Sequence, residues 1–298
     1  MTNILTVKKI FLTLTDPINV LRYRGYYIRK YSYVLLKILF IVSLLKRKMM
    51  KYKIKNSIFR SPINKNKGYE VYTEKKVISL TRNAVDEANK LFRNFKINQN
   101  HNKNYFIRIS EKKDFNEKSE IFKLAKSHSF LRLVSDYLGV FPILTNVNIY
   151  YTPKNSSNNI EGSQLFHLDH EEFKQIKCFI YCNDVDSNSG PLMIYPKEYS
   201  TLLQKKINYK LDSENKRITD QLINEKKLCK INAKKGTVIF ADTSSCFHAG
   251  ARSSKKTRLV ICFQYLTPFA FVRNTYKQKT YKNILTKNTK FDNLLSNF

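Results

Sequence analysis

Gln164-Leu165-Phe166-His167-Leu168-Asp169-His170, followed after a short polar step by Ile176-Lys177-Cys178-Phe179-Ile180-Tyr181-Cys182, is the stretch from which the rest of the chain is read. Side chains of an extended segment alternate faces, so His167 and Asp169 share one face and His170 points to the other. The second run is apolar and aromatic enough for a buried strand. Two further runs match it, Gly236-Thr237-Val238-Ile239-Phe240-Ala241 and Arg258-Leu259-Val260-Ile261-Cys262-Phe263-Gln264-Tyr265. Between them lies Phe247-His248-Ala249-Gly250-Ala251-Arg252, and His248 is placed to close a third corner with His167 and Asp169.

Two imidazoles and one carboxylate on one side of an ion leave its other positions open, which is the ligand set of non-haem Fe(II) oxygenases. His167, Asp169 and His248 are therefore the candidate metal ligands. In a chain with 5 His and 23 acidic residues, a lone His-x-Asp reads equally as a surface His beside a salt-bridged Asp. The strands on both sides and the later His248 carry the metal reading. His170 is the competing ligand, set aside by the period-two argument. Arg258 lies ten residues after His248 and opens a strand. Its planar fork matches a carboxylate bidentately, which makes it the candidate group for a keto-acid cosubstrate. Arg252 is the alternative, only four residues after His248 and expected in the turn. Tyr150 and Tyr181 are candidates for the pocket wall or for plain packing.

Around this centre the chain reads as helices first and strands afterwards. Ala84, Val85, Ala88, Leu91, Phe92 and Phe95 recur at helical spacing, with Thr81 or Asn83 as a possible N-cap. A second helix is expected over about 119–138, stopped by Gly139. Strands are expected at 69–72, 105–109, 146–151, 177–182, 190–195, 236–241 and 258–266. Residues 197–230 read as a charged insertion with helix around 218–228. This order argues for an α+β fold with a barrel-like β core.

The succession of His-x-Asp, Ser189-Gly190-Pro191-Leu192-Met193-Ile194-Tyr195-Pro196, Lys235-Gly236-Thr237-Val238-Ile239-Phe240, and His248 with Arg258 resembles the phytanoyl-CoA dioxygenase-like family. Ser127 to Gly139 is similar to the helix that such proteins carry before the barrel. The likeness covers roughly residues 70–270. It implies a double-stranded β-helix (a jelly-roll, cupin-like barrel) with N-terminal helices packed on it. It also implies Fe(II), 2-oxoglutarate and O₂ as cofactor and cosubstrates, with release of succinate and CO₂. Asp169 is the carboxylate that related halogenases lack, so its presence implies hydroxylation or desaturation. A zinc hydrolase using the same three ligands and a non-catalytic ligand-binding barrel stay open as alternatives. The substrate is not readable beyond a small organic or lipid-like molecule.

The net charge of +31 invites a nucleic-acid reading. The lysines are scattered through the whole chain, however, and no helix-turn-helix, zinc-finger or RNP-like motif accompanies them. A nucleic-acid partner is therefore not expected. The five Cys lack zinc spacing and read as reduced thiols, as expected of a cytoplasmic protein. Nothing in the sequence addresses oligomeric state.

Three segments result: a basic N-terminal segment 1–60, an oxygenase domain 61–272 and a basic tail 273–298 expected to pack loosely. Residues 1–60 hold fourteen Lys and Arg against one acid, Asp16. Their apolar run at 31–45 would be about 22 Å long as a helix, short of the roughly 30 Å hydrocarbon core. It reads as a helix packed on the barrel or as a peripheral membrane contact over 31–48, held by Arg29, Lys30, Lys46, Arg47 and Lys48. A third possibility is that it lies outside a fold beginning at Met49 or Met50.

Overall fold

The computed structural model describes residues 16–96, 105–111, 114–154, 160–211, 216–252, 255–272 and 289–297. The chain enters through two nearly continuous helices, α1 (Tyr26–Leu39) and α2 (Ile41–Lys53), which meet at Phe40. The helical span is thus longer than the 31–45 run, because the flanking Tyr, Arg and Lys residues also continue a helix. Strand β1 (Tyr69–Tyr72) and helix α3 (Lys75–Asn94) follow. Helix α3 starts after Glu74, well before Thr81 and Asn83. Thr81 is buried mid-helix instead, its hydroxyl donating to the Gly236 carbonyl at 3.1 Å.

After β2 (Ile107–Arg108), the helix expected over 119–138 is split into α4 (Glu120–Ala125) and α5 (His128–Leu138). Ser127 makes the break by capping α5, its Oγ accepting from the Phe130 N–H at 3.5 Å. Gly139 ends α5 with φ +83, a conformation that costs a glycine nothing.

The remaining strands are β3 (Ile143–Thr152), β4 (Ile176–Tyr181), β5 (Leu192–Ile194), β6 (Cys229–Ile231), β7 (Val238–Ala241), β8 (His248–Ala249) and β9 (Arg258–Leu266). They form two antiparallel sheets, one in the order β1-β7-β4-β9-β3-β2 and one in the order β6-β5-β8. Period two sorts the side chains of the large sheet. Ile176, Cys178 and Ile180 of β4, with Leu259, Ile261, Phe263 and Tyr265 of β9, join Phe122, Phe130 and Val134 of the helices in the main core. The alternate residues turn toward the small sheet, where Tyr181, Ile239 and Val260 pack with Leu192, Ile194 and Ile231. This is a mixed fold of helices and antiparallel sheet.

Two further expectations are corrected. Helix α6 (Lys197–Lys206) lies at the start of the insertion. Residues 218–228 make only two single turns, at Asp220–Leu222 and Glu225–Lys227, because Ile218 is drawn into a bridge with Phe166. The tail is not loose where it is described. Helix α7 (Lys290–Ser296) buries Leu295, pairs Asp292 with Lys126 at 3.0 Å and presents the Leu294 carbonyl to Arg47 at 2.7 Å. Residues 273–288 lie outside the described residues. Among the described residues, no helix is long and apolar enough to cross a membrane.

Candidate metal centre

The His-x-Asp segment is not a regular strand, contrary to the sequence reading; it is held by isolated backbone bonds. His167 and His248 exchange both, at 3.1 and 3.0 Å, and the Asp169 N–H donates to the Thr243 carbonyl at 2.8 Å. A two-residue step along the chain therefore docks against the β8 segment, and the shared face argued from period two results. The rings of His167 and His248 lie 4.2 Å apart, and His248 Nε2 is 3.6 Å from Asp169 Oδ2. One ligand atom from each of His167, Asp169 and His248 falls within 4.8 Å of the others.

Both imidazoles are oriented the same way. His167 Nδ1 lies 2.9 Å from the Leu165 carbonyl, and His248 Nδ1 lies 3.1 Å from the Cys246 carbonyl. A carbonyl only accepts, so each Nδ1 carries the proton and each Nε2 keeps its lone pair. Burial pushes both rings below the ordinary imidazole range, His167 further because His248 faces it, and both are neutral near pH 7. Burial alone would raise the carboxyl of Asp169. The ammonium of Lys177, 2.7 Å from Oδ2, is the strongest of the opposing influences, which together outweigh burial and hold Asp169 below the carboxylate range. Two neutral imidazoles and an ionised carboxylate are the protonation states that a divalent ion requires.

The centre opens into a cavity of about 260 Å³ between the sheets. Its wall is the other half of the period-two pattern: Asn146 and Tyr150 of β3, Lys177, Phe179 and Tyr181 of β4, and Arg258, Val260, Cys262 and Gln264 of β9. Arg258 is 4% exposed. Its Nη2 reaches Thr152 Oγ1 at 3.4 Å, its Nε has no hydrogen-bond partner, and no carboxylate among the described residues pairs with it. Burial lowers its pKa, partly offset by the Tyr181 phenol. Arg252 is otherwise engaged, forked onto Asp220 at 2.5 and 2.8 Å. His170 lies tilted against Tyr23 with ring centroids 5.3 Å apart and is not among the clustered ligand atoms.

Tyr181 and Tyr150 both line the cavity and both are structurally committed. The Tyr181 hydroxyl donates to the Ile231 carbonyl at 3.0 Å and accepts from the Leu192 N–H at 3.1 Å, while Tyr150 stacks on Phe106. Lys177, paired with Asp169 on the cavity wall, is the residue that sequence reasoning passes over. The signal for it is a lysine between Ile176 and Cys178 in a buried strand. Arg108, Lys216 and Arg217 line a second opening beside His167 and Asp169, of about 450 Å³.

No protein-family model matches the sequence, and no curated protein matches it. The fold is similar to that of EctD from S. alaskensis. That likeness, to the apoform, has a TM-score of 0.49 with 15% identity over 72% of this chain and 81% of the other. HygX from Streptomyces hygroscopicus, solved with nickel, 2-oxoglutarate and hygromycin B bound, is similar at a TM-score of 0.45 and 16% identity, covering 68% of this chain and 84% of its own. The non-heme alpha ketoglutarate dependent epimerase SnoN from nogalamycin biosynthesis is similar at 0.45 and 14%, covering 68% and 78%.

Proposed function

We propose that this chain is an Fe(II)/2-oxoglutarate-dependent dioxygenase of the phytanoyl-CoA dioxygenase-like type. In this reading the two sheets form a double-stranded β-helix, and the enzyme hydroxylates a small organic or lipid-like substrate with release of succinate and CO₂. One observation carries the reading. The two neutral imidazoles of a His₂/carboxylate cluster and a buried guanidinium with no carboxylate partner line one cavity between two sheets, and the carboxylate, Asp169, lines the adjoining opening. A buried charge without a partner is costly, so a site that keeps one is suited to an anionic ligand.

In this assignment His167, Asp169 and His248 hold the ion, and Arg258 takes the distal carboxylate of the keto acid. When bound, iron with a keto acid supplies O₂ activation. The chain's own residues do the rest. The Leu165 and Cys246 carbonyls fix the imidazole tautomers. Lys177 keeps Asp169 ionised. Thr152 and Tyr181 hold the guanidinium against the cavity.

The test is anaerobic titration of the full chain with Fe(II) and then 2-oxoglutarate, followed by admission of air and assay of succinate. Metal-dependent succinate formation is expected. Metal binding without keto-acid binding removes the oxygenase reading in favour of a hydrolytic metal site. Keto-acid binding without any succinate, across a substrate screen, leaves a ligand-binding barrel.

A further inference from the structure

Helices α1 and α2 carry apolar side chains on both sides: Tyr33, Leu36 and Met50 are buried inward, and a second set faces outward. A helix on a soluble protein buries an apolar stripe and exposes a charged face. Here the inward stripe includes Arg29 and Arg47, which are 4% and 1% exposed. Arg29 donates to the Glu172 carbonyl at 2.7 Å, and Arg47 to the Phe141 and Pro142 carbonyls at 3.2 Å. These bonds fix which face is inside. The outward stripe is apolar. Leu35, Ile38, Leu39 and Val42 are 56%, 64%, 64% and 61% exposed. Of the sixteen large hydrophobic residues exposed among the described residues, twelve lie between Tyr27 and Tyr52. They amount to on the order of 1,000 Å² of apolar surface, about twice the largest patch of a typical soluble monomer.

The charge around this stripe names its partner. At 100° per residue, Lys30 and Lys37 border it on α1, and Lys46, Lys48 and Lys53 border it on α2. From residue 17 to residue 69 there are fourteen Lys and Arg and no Asp or Glu. At the start of α1 a groove of about 490 Å³ is lined by Arg24, Tyr26, Tyr27, Lys205 and Lys210. A second copy of the same chain would bring fourteen more positive charges against these, which disfavours self-association. An apolar stripe edged only by cations matches the layering of an anionic bilayer, with acyl chains below and phosphates at the rim.

We propose that α1 and α2 dock the protein on the surface of an anionic phospholipid membrane. The outward apolar stripe enters the acyl boundary, and the bordering lysines and the Arg24 groove meet lipid phosphates. The helices lie on the membrane and do not cross it. Helix α1 packs on the segment that follows Asp169 through Tyr26 and Tyr33 on Phe173, and Tyr23, just before the helix, lies against His170. The inward side of the docking helix α1 therefore abuts the segment that follows Asp169.

The test is co-sedimentation of the full chain with vesicles of phosphatidylcholine alone and of two parts phosphatidylcholine to one part phosphatidylserine. The expected result is pelleting with the mixed vesicles and at least about tenfold weaker binding to phosphatidylcholine. The Leu35→Glu/Ile38→Glu double variant changes only exposed positions. It is expected to keep the far-UV circular dichroism of the parent and to lose vesicle binding. Lys46→Gln/Lys48→Gln is expected to weaken binding at least about fivefold, given the usual contribution of a lysine at an anionic surface. Failure to pellet with either vesicle overturns the proposal, as does binding unchanged in the Glu variant. So does a dimer in sedimentation equilibrium that the Glu variant dissociates, which would make a second copy the occupant.

Discussion

The metal cavity and the outer face of the N-terminal helices both break the rule that apolar groups go inside and polar groups outside, and they break it in opposite ways. In the cavity the anomaly is compensated internally. Asp169 has Lys177, each imidazole has a carbonyl, and the Tyr181 hydroxyl has two backbone partners. What is left over is specific: two Nε2 lone pairs, one carboxylate and the Arg258 fork. On the helices nothing among the described residues covers the exposed apolar side chains, because the inward side is already filled by Tyr33, Leu36 and Met50 and by Arg29 and Arg47, which bond to the Glu172, Phe141 and Pro142 carbonyls. A buried polar wall with a few unmet valences points to a small ligand that fits them. An exposed apolar face with no internal partner points to an extended surface.

The largest effect expected is at the ligands. His167→Ala, Asp169→Ala and His248→Ala should each abolish Fe(II) binding, read by calorimetry, while far-UV circular dichroism stays that of the parent. Retained binding in any two of them would end the comparison on its cavity side. Next is Arg258→Ala. Hydrogen bonds to a charged group contribute about 1.5–3 kcal/mol, so 2-oxoglutarate binding should weaken at least about tenfold. Iron binding should be nearly unchanged, and Arg258→Lys should recover only part of the loss because it lacks the planar fork.

Lys177→Met separates compensation from function, because its two consequences have opposite signs. Removing a cation beside the metal position favours a dication, so the variant should bind Fe(II) more tightly. Without metal, Asp169 loses its ammonium. With the two side chains 21% and 12% exposed, the destabilisation should be about 2 kcal/mol, less than for a fully buried pair, read in a denaturant titration. Weaker metal binding would mean that Lys177 positions Asp169 for the ion and does not merely neutralise it.

How much of this was legible in the sequence follows from which interactions are periodic. Strand β9 was readable from end to end because it is buried on both faces and starts at Arg258. The alternation that puts Arg258 and Gln264 on the cavity wall is the same rule that paired His167 with Asp169. The clustering of His167, Asp169 and His248 was legible although their segment is not a strand, since two residues of extended chain suffice. Non-local bonds were not legible. Ile218 left the expected helix for a bridge to Phe166, and Thr81 left the expected cap for Gly236. The break at Ser127 was missed by the single helix expected over 119–138, although it is local, a serine whose side chain caps the following turn. Arg29 and Arg47, read as flanks facing a membrane, face inward. The hydrophobicity of the run was visible, but which face it turned to water depends on carbonyls more than ninety residues away.

The smallest effect expected is at Arg252, the residue that competed with Arg258 for the keto acid. Its guanidinium is already forked onto Asp220, its Nε donates to the Gln164 carbonyl at 2.6 Å, and it lies over the Phe166 ring. Asp220 is 55% exposed, so this is a solvent-screened pair of the kind that contributes about 0–1 kcal/mol. Its geometric role is to tie the 218–228 strap to the segment leading into His167. Arg252→Ala should therefore cost less than about 1 kcal/mol in stability. It should leave 2-oxoglutarate affinity within about twofold, since a change of that size is under 0.5 kcal/mol. Substrate affinity is the sensitive readout, because the strap continues directly from Lys216 and Arg217, which line the opening beside His167. A loss of keto-acid binding in Arg252→Ala, with Arg258→Ala unaffected, would exchange the two assignments. It would also mean that the fork on Asp220 opens when the cosubstrate arrives, and that the buried guanidinium of Arg258 is held for the sheets and not for a ligand.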